Sequence, residues 1–313
     1  MKSHRVTGGG GTHLNVVESG NPKGCPILYI HGISQCWLQW SRQINSDLAQ
    51  DHRLVAMDMR GHGLSDKPLA GYEGSKMWAD DVNAVIETLE LDNPVLCGWS
   101  YGPLVILDYI RHYGEERVGG LHFVGSGTKL GNEEALAALT PEFRGLVPGF
   151  FSSDVNESVR SLDGLLRLCF SREPAIEDLY LMLAYNVSVP PYVRQALLSR
   201  SINNDDILPT IRKPVLITQA TQDAIVKPSV VDQLKASIAH AEIHMMQNVG
   251  HAAFWDDAAS FNRRQREFAA RLGQAARTRL LVVAGLTIGF QDGLDLALEQ
   301  RGARLLGKER LKD

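Results

Sequence analysis

Cysteine is scarce in this sequence: four residues in 313, at positions 25, 36, 97 and 169, with no Cys-x-x-Cys pair. That spacing offers neither a zinc knuckle nor a disulfide framework. Cys25, Cys36, Cys97 and Cys169 therefore read as buried or inert thiols in a reducing compartment. A basic excess is missing too. Thirty-two Lys and Arg face 36 Asp and Glu for a net charge of −4, with no Lys/Arg block, so nucleic acid is not an expected partner. Long apolar runs are also lacking. Residues 1–20, MKSHRVTGGGGTHLNVVESG, hold nothing like the run of about 7 to 15 apolar residues found in a secretory signal. The stretch LLVVAGLTIGF at 280–290 is too short and too glycine-containing to span a bilayer. The expectation is a cytoplasmic chain with no membrane span. No internal repeat or low-complexity tract is present.

What is there is an ordinary globular composition, 44% hydrophobic and 22% charged, on a chain long enough for one large domain or two smaller ones. Short apolar runs alternate with helical stripes, the pattern of a parallel α/β sheet. PILYIHG (26–32), RLVAMD (53–58), PVLCGWS (94–100), VGGLHFVG (118–125) and PVLITQA (214–220) read as strands buried on both faces. Between them Trp78, Val82, Val85, Ile86 and Leu89 recur at helical spacing, as do Leu104, Ile106, Tyr109, Ile110 and Tyr113. Near the start, SHRVTGG and THLNVVESG flank Gly8 to Gly11 as a leading antiparallel hairpin. Those glycines lack the following Lys-Ser/Thr and helix start of a phosphate loop. From about 131 to 208 the rhythm stops and EEALAAL, VRSLDGLLRLCF, AIEDLYLMLAYNV and YVRQALLSR succeed one another, which predicts an inserted helical block.

The pentad Gly-Trp-Ser-Tyr-Gly at 98–102 is the first chemical signal, although chance alone gives a G-x-S-x-G in about one chain of this length in ten. Its context adds weight. A serine hydroxyl needs a base within hydrogen-bond reach and donors for the oxyanion that follows attack. A sharp turn after PVLC would crowd the backbone so that only small residues fit at 98 and 102, and would lift Ser100 above the sheet. Pro103 suits a first helical turn, and the Tyr101 amide would lie at a helix N-terminus where it can donate to an anion. A second donor, the Ile33 amide, would come from the loop HGISQCW, where Gly32 lets the chain turn.

Of ten histidines, His251 in NVGHAAFWDD stands in a glycine-preceded loop before the last helix and is the candidate base. His31 reads as a backbone-bonding residue and His62, in DMRGHGLSD, as loop architecture. His240 and His244 belong in or before the strand AEIHMM, and His4, His13, His52, His112 and His122 have no supporting context. Asp223 in PVLITQATQDAIVKP either orients the base or caps the following helix. The chain order Ser100, Asp223, His251 favours the first.

The stretches YIHGIS, DMRGHGLSDKP, GWSYG, PVLITQATQDAIV and NVGHAAFWD, spread over roughly residues 10 to 273, resemble the α/β-hydrolase family. The likeness is to its large lid-bearing group of carboxylesterases, lactonases, C–C bond hydrolases and cofactor-free haloperoxidases. The resemblance implies a mostly parallel eight-stranded sheet flanked by helices: a core of 1–130 and 209–273, a helical lid at 131–208, and a C-terminal extension, 274–313, outside the family pattern. It also implies Ser100 as nucleophile, His251 as base, Asp223 as acid, the Ile33 and Tyr101 amides as oxyanion hole, and no metal or organic cofactor. Ser100 stands where haloalkane dehalogenases and epoxide hydrolases of this fold carry Asp, which disfavours those activities. The loop is His-Gly-Ile rather than triple glycine, which weakens any case for bulky tertiary-alcohol esters. LHFVGSG supplies Ser126 but no alternative acid.

The expected function is that of a serine carboxylesterase acting on a small to medium, largely uncharged ester, with Trp37, Trp99, Phe150, Phe151 and Met182 lining an apolar pocket. Lactone hydrolysis, C–C bond hydrolysis and peracid formation are the alternatives within enzymes. A slow-turnover ligand receptor on the same fold is the alternative outside them. For the tail, the apolar run 280–290 and the stripe in 294–306 leave two readings open, a homodimerisation segment or an extension with no role in the fold.

Overall fold

The computed structural model describes residues 1–125 and 127–273. Eight strands form one sheet: β1 (Lys2–Thr7), β2 (His13–Gly20), β3 (Cys25–Ile30), β4 (His52–Met57), β5 (Val95–Trp99), β6 (Gly120–Val124), β7 (Val215–Ala220) and β8 (Glu242–Met246). Their spatial order is β1-β2-β4-β3-β5-β6-β7-β8. β2 pairs antiparallel with both β1 and β4, while every pairing from β4 through β3 to β8 is parallel, so β2 alone runs against the rest. Gly8 to Gly11 do form the hairpin turn between β1 and β2, with Gly10 and Gly11 at φ of 62° and 78°.

The near-continuous apolar runs become strands because both faces of the sheet are covered. Leu28 and Ile30 of β3, Leu121 and Phe123 of β6 and Ile217 of β7 join one cluster with Trp78, Val82 and Ile86 of the helix Ser75–Thr88 and Leu104 and Val105 of the helix Gly102–Tyr113. The alternating residues turn the other way, as the pleat requires. Tyr29 meets Trp40 at 4.8 Å, Trp40 stacks on Phe254 at 4.2 Å, and the His122 ring stacks on Phe261 at 5.2 Å.

The chain leaves β3 outward to β4 and then crosses back to place β5 on β3's other side. At that reversal the loops after β3 and β5 diverge beyond the carboxyl ends of the strands and open a crevice, the usual place for a ligand in a sheet of this kind.

Between β6 and β7 lie the helices Glu133–Ala138, Pro141–Leu146, Val155–Cys169, Ile176–Val187 and Pro191–Leu198. Their starts are legible locally. The Asn132 side chain accepts from the Ala135 amide and Thr140 from Phe143 ahead of Pro141. Asp154 accepts from the amides of Asn156 and Glu157. Arg194 braces the block, donating from Nε to the Phe150 carbonyl at 2.8 Å, from Nη1 to the Val189 carbonyl and from Nη2 to Ser158 Oγ at 3.2 Å. The insertion begins and ends at one place, where Leu130 and Ile202 exchange both backbone hydrogen bonds at 2.9 Å. Residues Met1–Ala269, block included, make up one compact unit. The run 280–290, the stripe in 294–306 and Ser126 lie outside the described residues. Among the described residues no helix is long and apolar enough to cross a membrane.

Candidate active site

Ser100 stands between the end of β5 and the helix Gly102–Tyr113 with φ at +56°, in the left-handed region. For a non-glycine residue such backbone costs about 1 to 3 kcal/mol and persists only where its surroundings enforce it. Here they do. Its amide donates to the Val124 carbonyl at 2.9 Å. A Cβ at residue 98 would sit 2.6 Å from the Gly102 carbonyl carbon, and one at residue 102 would sit 2.4 Å from the Ile30 carbonyl oxygen. Glycine at both places lets strand, turn and helix approach closely enough to hold the strained serine.

The loop after β3 lies against this turn: a Cβ on Gly32 would be 3.0 Å from that of Ser100. Two buried histidines secure the loop. His31 Nδ1–H donates to the Gly32 carbonyl at 2.7 Å and its Nε2 accepts the Met59 amide at 3.0 Å. His62 Nδ1–H donates to the Arg60 carbonyl at 2.9 Å and its Nε2 accepts the Ser34 amide at 3.2 Å. Accepting an amide requires the neutral ring. Burial enforces that state, pushing His31 down to about 4 and His62 well below the ordinary histidine value. Both residues are architecture, and they fix the segment that carries the Ile33 amide.

Asp223 and His251 form a buried pair, with Nδ1–H donating to Oδ2 at 2.8 Å. The carboxylate is fully engaged. Oδ1 accepts the amides of Ile225 and Val226 at 2.9 and 2.8 Å, and Oδ2 also accepts from Gln219 Nε2 at 2.9 Å. Asp223 does not cap the following helix, Val230–Ser237, which starts after Ser229 without a side-chain cap; its Oδ1 turns its own loop while Oδ2 holds the imidazole. Trp99 backs the ring at 5.2 Å and donates its indole N–H to the His251 carbonyl at 3.0 Å. Gly125 passes so close that a Cβ there would lie 3.1 Å from Nδ1. His251 Nε2 is buried and, among the described residues, carries no hydrogen bond. Its ring is oriented by the bond at Nδ1, and catalytic hydrogen bonds are often long or poorly aligned in sites without substrate.

Ser100, Ile33 and Tyr101 line a cavity of about 350 Å3, within the range of small-molecule sites. The rest of its wall is mainly aliphatic, including Leu104, Leu130, Leu139, Phe143, Leu198 and Val230, with Lys129, Glu134 and Asp205 as charged members. Lys129 pairs with Asp205 at 2.7 Å and with Glu134. The wall differs from the expected one: Trp37, Trp99, Phe150, Phe151 and Met182 do not line this cavity. Trp99 is packed behind the imidazole between His251 and Phe254. The Phe150 carbonyl receives Arg194 while its ring faces Phe143 at 6.1 Å. The Met182 side chain is buried among the insertion helices. Trp37 and Phe151 are half-buried elsewhere, Trp37 with its amide on Asp58 Oδ1 at 2.7 Å.

Sequence reasoning also passed over Gln219, four residues before Asp223, whose placement at the end of a strand was the signal that could have found it. It missed a second buried pair as well, Arg200 with Asp108. Arg200 Nη2 lies 2.6 Å from the Asp108 carboxylate, and Nη1 donates to the Tyr101 hydroxyl at 3.1 Å. These residues lie 92 apart in the chain, and no periodicity announces them. Among the described residues no group of three His, Cys, Asp or Glu side chains is arranged to hold a metal ion.

A family profile described as alpha/beta hydrolase fold matches residues 26–170. The crystal structure of an esterase, RhEst1, from Rhodococcus sp. ECU1013 superposes with a TM-score of 0.82 at 33% identity, covering 87% of this chain and 100% of that one. The AB hydrolase superfamily protein YisY of Bacillus subtilis (strain 168) is 26% identical over 80% of this chain and 93% of its own. The 2-hydroxymuconate semialdehyde hydrolase of Pseudomonas sp. (strain CF600) is 26% identical over 85% of this chain and 93% of its own.

Proposed function

This chain belongs to the α/β-hydrolase family, and from that premise we propose that it is a serine hydrolase cleaving small to medium, largely uncharged carboxylic esters through an acyl-enzyme. Two observations support the reading: a strained serine on the wall of an apolar cavity, and a buried imidazole, oriented by Asp223, whose Nε2 carries no hydrogen bond among the described residues. His251 Nε2 takes the Ser100 proton as Oγ attacks the ester carbonyl. Asp223 holds the ring through Nδ1 and stabilises the imidazolium. The amides of Ile33 and Tyr101 receive the oxyanion. The proton passes to the leaving alcohol, and water repeats the sequence on the acyl group. The block 131–208 serves as the lid, supported by Leu139, Phe143, Leu198 and Leu208 in the cavity wall. Cys25, Cys36, Cys97 and Cys169 are unpaired, which supports a reducing compartment, the cytoplasm.

The test is hydrolysis of p-nitrophenyl acyl esters together with labelling by a serine-directed fluorophosphonate and peptide mapping. The label is expected on Ser100, and Ser100→Ala is expected to lose at least about 10³-fold in kcat. A label mapped elsewhere, or turnover that survives Ser100→Ala, would sink the assignment.

A further inference from the structure

The residues on either side of His251 are tied to the segment that ends the helix Val155–Cys169, Ala252 directly and Gly250 through Asp256. The Ala252 amide donates to the Cys169 carbonyl at 2.7 Å. The Gly250 amide donates to Asp256 Oδ2 at 2.7 Å, and the same oxygen accepts the Ser171 amide at 2.8 Å. Gly250 is also pressed against that segment, since a Cβ there would lie 2.7 Å from the Phe170 carbonyl carbon and the Ser171 nitrogen. Asp256 itself belongs to the short helix Ala253–Asp256, which follows the histidine directly. One carboxylate oxygen therefore joins the backbone before the imidazole to a strand of chain that belongs to the insertion.

We propose that Asp256 is a positioning residue for the base, and that through it the placement of His251 depends on the seating of residues 169–171. The proposal rests on the ester-hydrolase reading of Ser100 and His251. The physical warrant is the steepness of proton transfer with geometry: a displacement of about 1 Å at a reacting group can cost on the order of 10²-fold in rate. A loop held by a charge-assisted hydrogen bond on one flank, Gly250 to Asp256, and a backbone bond on the other, Ala252 to Cys169, resists such displacement. Substrate binding in the cavity does not use these bonds, because Asp256, Gly250 and residues 169–171 do not line it.

Three variants of the full chain test this with a p-nitrophenyl ester and the fluorophosphonate. Asp256→Ala removes the acceptor and is expected to lower kcat about 10- to 100-fold, with KM within two-fold and the labelling rate falling in parallel. Asp256→Asn keeps an oxygen acceptor and is expected to recover to within about three-fold of the parent, since a neutral acceptor preserves the geometry of the bond at roughly half its strength. Ser171→Pro removes the insertion's donor and sets the ring Cδ against Asp256 Oδ2, so that the bridge is broken and pushed apart; the preceding Phe170, at φ −120° and ψ 145°, already has the backbone a residue before proline requires. It is expected to lower kcat by less than Asp256→Ala and again to leave KM unchanged. An Asp256→Ala enzyme with unaltered kcat, an Asp256→Asn enzyme as slow as Asp256→Ala, or a Ser171→Pro enzyme as fast as the parent each overturns the proposal. Labelling of the parent at Ser100 reports the site reading by itself, and the ratios among variants report the positioning role.

Discussion

Two buried carboxylates among the described residues, Asp223 against the His251 imidazole and Asp108 against the Arg200 guanidinium, differ in the partner they hold. Asp223 with His251 and Asp108 with Arg200 have similar contacts, 2.8 and 2.6 Å, and similarly little exposure. Each also leaves one buried nitrogen without a partner, Nε2 of His251 and Nε of Arg200. Burial and short distance therefore do not mark a catalytic acid. The chemistry of the spare nitrogen does. An imidazole nitrogen can take and return a proton near neutrality, whereas a guanidinium cannot. Arg200 instead spends its other donors on Asp108 and the Tyr101 hydroxyl, tying the end of the insertion to the helix that follows Ser100.

The largest expected difference between the pairs is in rate. Asp223→Asn should lower kcat by roughly 10³- to 10⁴-fold, since it disturbs the tautomer of the base, while Asp108→Asn should stay within about ten-fold of the parent because it touches no reacting atom. Steady-state kinetics on one ester decides this, and equal losses would erase the distinction. Stability should fall as well. Removing one partner of a buried pair costs about 3 to 5 kcal/mol, so Asp108→Asn should lower Tm by on the order of 10 °C in a domain of this size.

The pH dependence of melting sharpens the contrast further. Burial holds the Asp108 carboxyl up at about 6, with Arg200 pulling the other way. The stability lent by that proton is complete below about pH 4, where an unfolded carboxyl also binds it, and is lost as the pH rises through 6. His31 has the opposite sign. Burial holds it at about 4, so its neutral ring contributes stability above about pH 6.5 that is lost as the pH falls through 4, on the order of 3 kcal/mol in all. In melts between pH 4 and 7, Asp108→Asn should gain on the parent as pH rises, and His31→Asn should gain as pH falls. Curves that run parallel to the parent's would contradict both directions. The smallest effect expected leaves both pairs intact. Val230→Phe narrows the cavity, and should raise KM for long acyl esters several-fold while leaving an acetate ester within about two-fold.

Legibility in the sequence followed the range of the forces involved. The strands were readable to within a residue or two because burial on both faces writes a continuous apolar run. His31 and His62 were readable as loop architecture because their partners, Gly32 and Arg60, are near neighbours in the chain. Asp223 and His251 were singled out by loop position and chain order, and the structure brings them into contact. The cavity wall was not legible. Its residues come from an insertion and from the helix Val230–Ser237, and nothing in a local period tells which face of an inserted helix will look inward. Size and aromaticity pointed to Trp99 and Phe150, yet large rings fill space behind the site, and smaller aliphatic side chains are left to border the void. Asp256 was unreadable for a related reason: its two donors, Gly250 and Ser171, meet only after folding.

The mutual hydrogen bonds between Leu130 and Ile202 have a consequence for how such a protein can diversify. Because residues 130 and 202 are joined backbone to backbone, a segment of different length or sequence could be spliced between them without separating the ends it must connect. Ser100, Asp223 and His251 lie outside that segment, while Leu139, Phe143 and Leu198 of the cavity wall lie within it, so exchange at this seam would change part of the wall and leave those three residues in place.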